Sequence, residues 1–156
     1  ADRTLLYLPA YKRVRLVVGA QGSASFMGTG FSIDDLARVG FAPDYTATIE
    51  ATRADGWTLR LVPKDPKAHK HASLTADVRK SDHLVTRIVT FDAGGKKLRT
   101  IDTGDFKPIG KYTVAHSVRV EEHASGRVTT ARIERAEFDT GLSGSTFTER
   151  KLTRAP

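Results

Sequence analysis

The sequence predicts a mainly β domain: a curved antiparallel sheet with one short helix packed on its concave side. Three observations carry that expectation. β-Branched residues are abundant, with 18 Thr, 12 Val and 6 Ile among 156 residues, and such side chains suit a pleated, half-buried surface. Apolar residues recur with period two through most of the chain, as in strands with one wet face. Short turn signals separate these runs, which favours neighbours joined in sequence over long crossovers.

Taken in order, "ADRTLLYLP" reads as a first strand, and "KRVRLVV" follows with Val14, Leu16 and Val18 on one face against Arg13 and Arg15. The next stretch, "SASFMGTGFSIDDL", breaks the alternation and concentrates apolar side chains around glycines. Within it lies one helix signal over Ser32 to Arg38: Ser32 as N-cap, Asp34 and Asp35 in the first turn, and Gly40 as a stop. "YTATIEATR" then alternates Tyr45, Ala47, Ile49 and Ala51 against polar partners, and "WTLRL" alternates Trp57, Leu59 and Leu61 against Thr58 and Arg60. Ala54-Asp55-Gly56 joins these two, with Asp-Gly expected to supply positive φ angles.

"VPKDPKAHKH" is a proline-broken, lysine-rich loop, after which "SLTADVRK", "LVTRIVTF" and "KKLRTI" are three further strands. "TGDFKPIG" reads as a loop. "YTVAHSVRVEE" follows with Val114, His116, Val118 and Val120 on one face, then "RVTTARIERAEF", whose apolar set changes parity near Glu134 and Arg135 and so predicts a β-bulge. About nine strands joined in sequence make a sheet large enough to curl.

Lys and Arg exceed Asp and Glu by 25 − 18, a net charge of +7. That favours anionic partners, but the basic residues are dispersed in runs of no more than two, as on a solvated surface. No cysteine is present, so disulfides and thiolate metal sites are excluded. No stretch approaches the roughly 20 apolar residues of a membrane-spanning helix.

Several motifs resemble catalytic ones. Asp102-Thr103-Gly104 and Asp139-Thr140-Gly141 look like the active-site loops of aspartic proteases, whose two carboxylates share a proton. A hydrolase using Asp102 and Asp139 is the enzymatic alternative; their spacing argues against it, and both tripeptides read as turns. His69 and His71 form a His-x-His pair among lysines with no third ligand nearby in sequence, a solvated loop rather than a metal site. His116, on an apolar strand face, reads as a hydrogen-bonded core histidine. Gly28-Thr29-Gly30 lacks the third glycine of a dinucleotide loop, and Gly141-Leu142-Ser143-Gly144-Ser145 lacks the final glycine of a nucleophile elbow. Aromatics are not clustered with Arg or Lys as on a nucleic-acid surface. No catalytic group, metal, cofactor or nucleic acid is expected, and a module recruiting partners through an open sheet edge remains a third reading.

"LLYLPAYKRVRLV", "SFMGTGFSIDDL", "FDAGGKKLRTI" and "FDTGLSGSTFTERKLTR" together resemble the outer-membrane lipoprotein-sorting, LolA-like family. The nearest branch comprises the members that accompany inner-membrane lipid exporters of the resistance-nodulation-division type. The resemblance implies an incomplete antiparallel half-barrel with a short helical lid around an apolar cavity for lipid or lipoprotein acyl chains. It implies a periplasmic carrier, with peripheral membrane contact, and one domain over residues 1–156 lacking the family's first helix and strands. Placed on that cavity, the apolar sets give Phe26, Met27, Phe31 and Leu36 as the lid. Tyr45, Ile49, Trp57, Leu59 and Leu61 line one part, and Val114, Val118 and Ile133 another.

Overall fold

A computed structural model describes residues 4–17, 22, 24–37 and 40–153. A hairpin of β1 (Thr4–Leu8) and β2 (Arg13–Val17) pairs Thr4 with Val17 and Leu8 with Arg13. After helix α1 (Ile33–Ala37) comes a seven-stranded antiparallel sheet: β3 (Tyr45–Thr52), β4 (Gly56–Pro63), β5 (Ser73–Arg79), β6 (Val85–Phe91), β7 (Lys97–Ile109), β8 (Tyr112–Glu122) and β9 (Arg127–Arg132). Spatial order follows chain order from β3 to β9, so the sheet is a meander with two open edges, an incomplete barrel. A short helix α2 (Glu149–Leu152) ends the described chain.

The register explains the two unlike faces. Ile49, Leu59, Ala76, Ile88, Ile101, Val120 and Thr129 stand opposite one another in turn, one from each strand. The adjacent row on the other face runs Thr58, Asp77, Arg87, Asp102, Arg119 and Thr130. Because side chains alternate across a strand, one face collects the aliphatic row and the other a ladder of opposite charges. Fully burying a Leu, Ile or Val, as the row does with Ile101 and Val120, contributes about 1.5–3 kcal/mol, more than an exposed ion pair of the second row supplies.

Two buried clusters occupy the apolar face. Tyr45, Leu61, Leu74 and Ala76 form one, flanked by Phe41, Leu59, Val85 and Ile88. Phe31, Ile101 and Val120 form the other, flanked by Ile88, Val118 and Ala131. Ile88 touches both and joins them into one apolar surface.

Several local expectations change. β7 continues through 103–109, where a loop was expected over 103–110; its ladder to β6 ends at Asp102, so Pro108 lies where β7 has β8 as its ladder neighbour and need not donate to a second strand. Asp102-Thr103-Gly104 is therefore strand, not turn. At the β3–β4 turn Arg53 N–H donates to Gly56 C=O at 2.8 Å, but neither Asp55 nor Gly56 has positive φ. Gly56 serves close packing instead: a Cβ there would lie 2.1 Å from the Val78 carbonyl oxygen. A register shift between Ile49 and Ala51 moves Ala51 off the face of Tyr45, Ala47 and Ile49. In β2 the buried residue is Val17 and Leu16 is exposed; Val18 lies outside the described residues. No bulge follows Ile133, because β9 ends at Arg132 and residues 134–143 run without ladder pairing; Ile133 N–H still donates to His116 C=O at 2.9 Å.

Candidate functional site

The segment that breaks the alternation covers the apolar face. Phe26 to Thr29 is a tight turn: Met27 and Gly28 both take positive φ, 51° and 75°, and Thr29 N–H donates to Phe26 C=O at 3.0 Å. Two successive positive φ angles make a type I′ turn, which folds the chain back so that Phe26 N–H reaches Phe31 C=O at 2.7 Å. Three bonds fasten this hairpin to the end of the sheet. Gly30 N–H donates to Thr129 Oγ1 at 2.9 Å, Arg99 to Gly30 C=O at 2.7 Å, and Arg127 to Gly28 C=O at 2.6 Å. The close approach at Gly30, where a Cβ would meet Thr129 and Val120 at 3.2 and 3.3 Å, lets Phe31 sink onto Ile101 and Val120.

Helix α1 begins as the residues dictate. Ser32 Oγ accepts from Asp35 N–H at 3.1 Å, and the Asp35 carboxylate accepts from Ser32 N–H at 2.7 Å, a reciprocal cap. Asp35 also receives Arg99 at 2.5 Å, which ties the helix to β7. Arg38, the expected last residue of the helix, lies outside the described residues. Beyond it, Phe41 meets Tyr45 edge-on at 5.7 Å and packs on the first cluster. The covering segment is thus anchored by Phe31 over β7 and β8 and by Phe41 over β3 to β5.

The expected lining residues divide. Phe31 and Val118 meet in one cluster, and Tyr45, Leu59 and Leu61 in the other. Ile49 continues their row to the sheet edge but is 65% exposed, and Ile133 is also exposed. Phe26 and Val114 are half-buried and belong to neither cluster. Met27 and Leu36, 81% and 59% exposed, face away from the apolar surface they were expected to cap, because the tight turn and the helix bury Phe31 instead. Trp57 stacks on His83 at 5.8 Å, with Lys80 6.0 Å from its ring. Leu74, Ala76, Ile88, Ile101, Val120 and Phe41 complete the surface and were not singled out; the alternation in "SLTADVRK" marks the first two.

The remaining motifs find structural roles. Asp102 lies between Arg87 at 2.6 Å and Arg119 at 3.9 Å on the polar face. Asp139 has a φ of 56°, accepts from the Tyr112 hydroxyl at 3.2 Å and pairs with Lys111 at 3.2 Å. Asp102 stands opposite Arg119, seven residues along β8 from Tyr112, roughly 23 Å of strand. The two carboxylates therefore do not share a proton. His116 is buried with Nδ1 3.2 Å from Val114 C=O. His69 and His71 are not solvated as expected: both are half-buried against Tyr45, whose hydroxyl lies 3.3 Å from His69 Nδ1 and 2.9 Å from His71 Nε2. Among the described residues no group of three or more His, Cys, Asp or Glu gathers as a metal centre.

Electrostatics on the polar face are self-neutralising. Burial alone would raise Asp77, but hydrogen bonds from Thr58 and Arg53, with the charges of Arg53 and Arg87, hold it below the usual carboxylate range. Asp82 is lowered chiefly by its bond from Arg79, and Arg87 is raised by Asp102. A cleft of about 440 Å³ opens on this face between Glu50, Arg60, Thr75 and Phe91. Among the described residues no helix is long and apolar enough to cross a membrane.

Comparison with known proteins agrees with this architecture. A family model described as "Uncharacterized protein" matches residues 1–154. No curated protein matches the sequence. A candidate outer membrane lipoprotein-sorting protein domain from Vibrio parahaemolyticus superposes with a TM-score of 0.87 at 26% identity, over 99% of this chain and 67% of that one. A DUF1329 family protein from Desulfovibrio piger gives 0.87 at 24% identity, covering 97% and 65%. A LolA superfamily protein from Nitrosomonas europaea gives 0.67 at 16% identity, covering 95% and 67%, and so shares the fold. This chain spans about two thirds of the length of each. With a family model matched along nearly its whole length and this half-barrel geometry, the chain belongs to that family and is LolA-like, of the outer-membrane lipoprotein-sorting fold.

Proposed function

We propose that the protein is a periplasmic carrier that takes up lipid or lipoprotein acyl chains on the apolar face of its half-barrel. It then serves outer-membrane sorting or an inner-membrane exporter of the resistance-nodulation-division type. The observation that carries this reading is the unbroken row from Ile49 to Val120 across an unclosed sheet, roofed by a segment held at two points by Phe31 and Phe41 and by a few hydrogen bonds. Each acyl CH₂ moved from water onto such a surface contributes roughly 0.8 kcal/mol, so an open groove suffices for reversible carriage without a catalytic group. The sorting assignment of the Vibrio relative favours the same reading.

A fluorescent fatty-acid analogue tests it. Ile49 lies at the accessible end of the row, where Glu can be introduced without disturbing the buried clusters. Ile49→Glu is expected to weaken binding about tenfold or more, since the carboxylate must neutralise or draw water into the groove. Arg13→Glu, in the separate hairpin, should change little. Equal loss from both, or no binding by the unaltered protein, counts against the carrier.

A further inference from the structure

We propose that His69, His71 and Tyr45 form a binding site for a borderline divalent transition-metal ion such as zinc. This rests on the side-chain geometry of the loop before β5 and is independent of lipid carriage.

The loop is built to aim both imidazoles one way. Asp65 caps a 3-10 turn over Pro66–Ala68 by accepting from Lys67 N–H at 2.9 Å, and His69 closes that turn with extended backbone, φ −128° and ψ 150°. Two residues on, past a bend at Lys70, His71 also reaches the Tyr45 hydroxyl. The two rings lie 5.2 Å apart, and their centroids lie 5.0 and 5.9 Å from that of Tyr45. Tyr45 is buried as the first residue of β3, so its hydroxyl is a fixed point on which both histidines converge.

The two distances to the Tyr45 hydroxyl suit a metal as well as they suit hydrogen bonds. Donors around a tetrahedral ion at about 2.0–2.1 Å stand roughly 3.3 Å from one another. Tyr45 Oη lies 2.9 Å from His71 Nε2 and 3.3 Å from His69 Nδ1. The phenol donates to one facing nitrogen and accepts from the N–H of the other ring in the appropriate tautomer, so the three groups are already a paired network. An ion would replace the shared protons of that network: both nitrogens offer lone pairs, the phenol releases its proton to solvent as it becomes the third donor, and water takes the fourth position. Imidazole and phenolate suit zinc and copper(II). Neighbouring lysines oppose the ion only weakly. Lys64 is turned to the Ala42 and Pro43 carbonyls at 2.9 and 3.1 Å, and Lys67 and Lys70 are exposed, where salt screens them.

Such an ion would join the 64–72 loop to the foot of the covering segment, because Tyr45 also contacts Phe41. Zinc titration by calorimetry on the full chain, in chelator-free buffer near neutral pH, is expected to give one equivalent bound. His69→Gln and His71→Gln should each weaken it by roughly tenfold or more. Tyr45→Phe should keep the ring packing and lose affinity. His123→Gln, at the far β8–β9 turn, should leave binding unchanged. No binding up to millimolar zinc, or binding that survives the His69→Gln/His71→Gln double variant, overturns the site. Should that variant not fold, nitrogen hyperfine structure in the EPR spectrum of the unaltered chain with copper(II) decides: two imidazole nitrogens support the site and fewer overturn it.

Discussion

Arg99 stands 2.5 Å from Asp35, and through that contact the middle of the sheet holds the start of the covering helix. Arg99 also donates to Gly30 C=O at 2.7 Å, while Asp35 closes the helix cap on Ser32. One ion pair thus fastens both the hairpin and the helix of the lid.

Asp35→Asn removes the charge that serves cap and clamp together. Neither partner is more than about a quarter exposed, so screening discounts the pair only modestly. A loss of about 1–3 kcal/mol is expected in urea denaturation. Amide exchange distinguishes a loosened lid from a weakened sheet: protection at Phe31 and Leu36 should fall, while that of Leu74, Ile88 and Val120 tracks global stability. Uniform loss of protection would mean that the lid is not a separable unit.

Glycines separate close packing from mere turn formation. At Gly56 a Cβ would lie 2.1 Å from a backbone oxygen of β5, which cannot swing aside, whereas at Gly104 nothing lies within 4 Å. Gly56→Ala is expected to cost about 3 kcal/mol and Gly104→Ala well under 1, read from denaturation midpoints. Equal effects would place the strain elsewhere than the β4–β5 contact.

Acid should weaken the fold through Asp77. Its folded pKa is depressed, so its contribution is fully present above the unfolded value of about 3.9 and is lost as pH falls through the folded value. Asp82, depressed by its bond from Arg79, acts in the same direction. Urea midpoints should therefore hold steady from pH 7 to about 5 and then decline. In Asp77→Asn the starting stability should be lower and the decline shallower. An unchanged acid limb would assign it to other carboxylates.

The sheet was legible because alternation survives through most of its length and because Asp92 and Gly126 mark their turns plainly. Resemblance added the half-barrel and the covering role of residues 23–36. What escaped was decided by partners distant in sequence. Asp102-Thr103-Gly104 has turn composition, yet Arg87 and Arg119 on neighbouring strands hold Asp102 in the ladder. Tyr45 and the loop histidines are 24 and 26 residues apart, so their meeting depends on how the loop folds back over β3. Met27 and Leu36 misled for another reason: a short covering segment has an outer side, and hydrophobicity does not tell which side a residue takes when the period is neither two nor 3.6.

Met27 gives the last prediction. Its φ of 51° places an unbranched but bulky side chain in the left-handed region, which costs roughly 1–2 kcal/mol for a residue other than Gly, less for Asn or Asp. Ordinarily such a cost is offset by packing, but Met27 is 81% exposed, so little contact is lost when its side chain is removed. A glycine adopts the same backbone without strain, though it gains unfolded-state entropy that offsets part of the benefit. Met27→Gly is therefore expected to raise stability by about 0.5–1 kcal/mol, and Met27→Asn by a similar amount, since Asn-Gly is a favoured type I′ pair. Met27→Val should do the opposite, because a β-branched side chain tolerates this region least. Urea midpoints for the three variants check the order. A fall in stability for Met27→Gly would mean that the Met side chain makes a contact that outweighs the strain of its backbone.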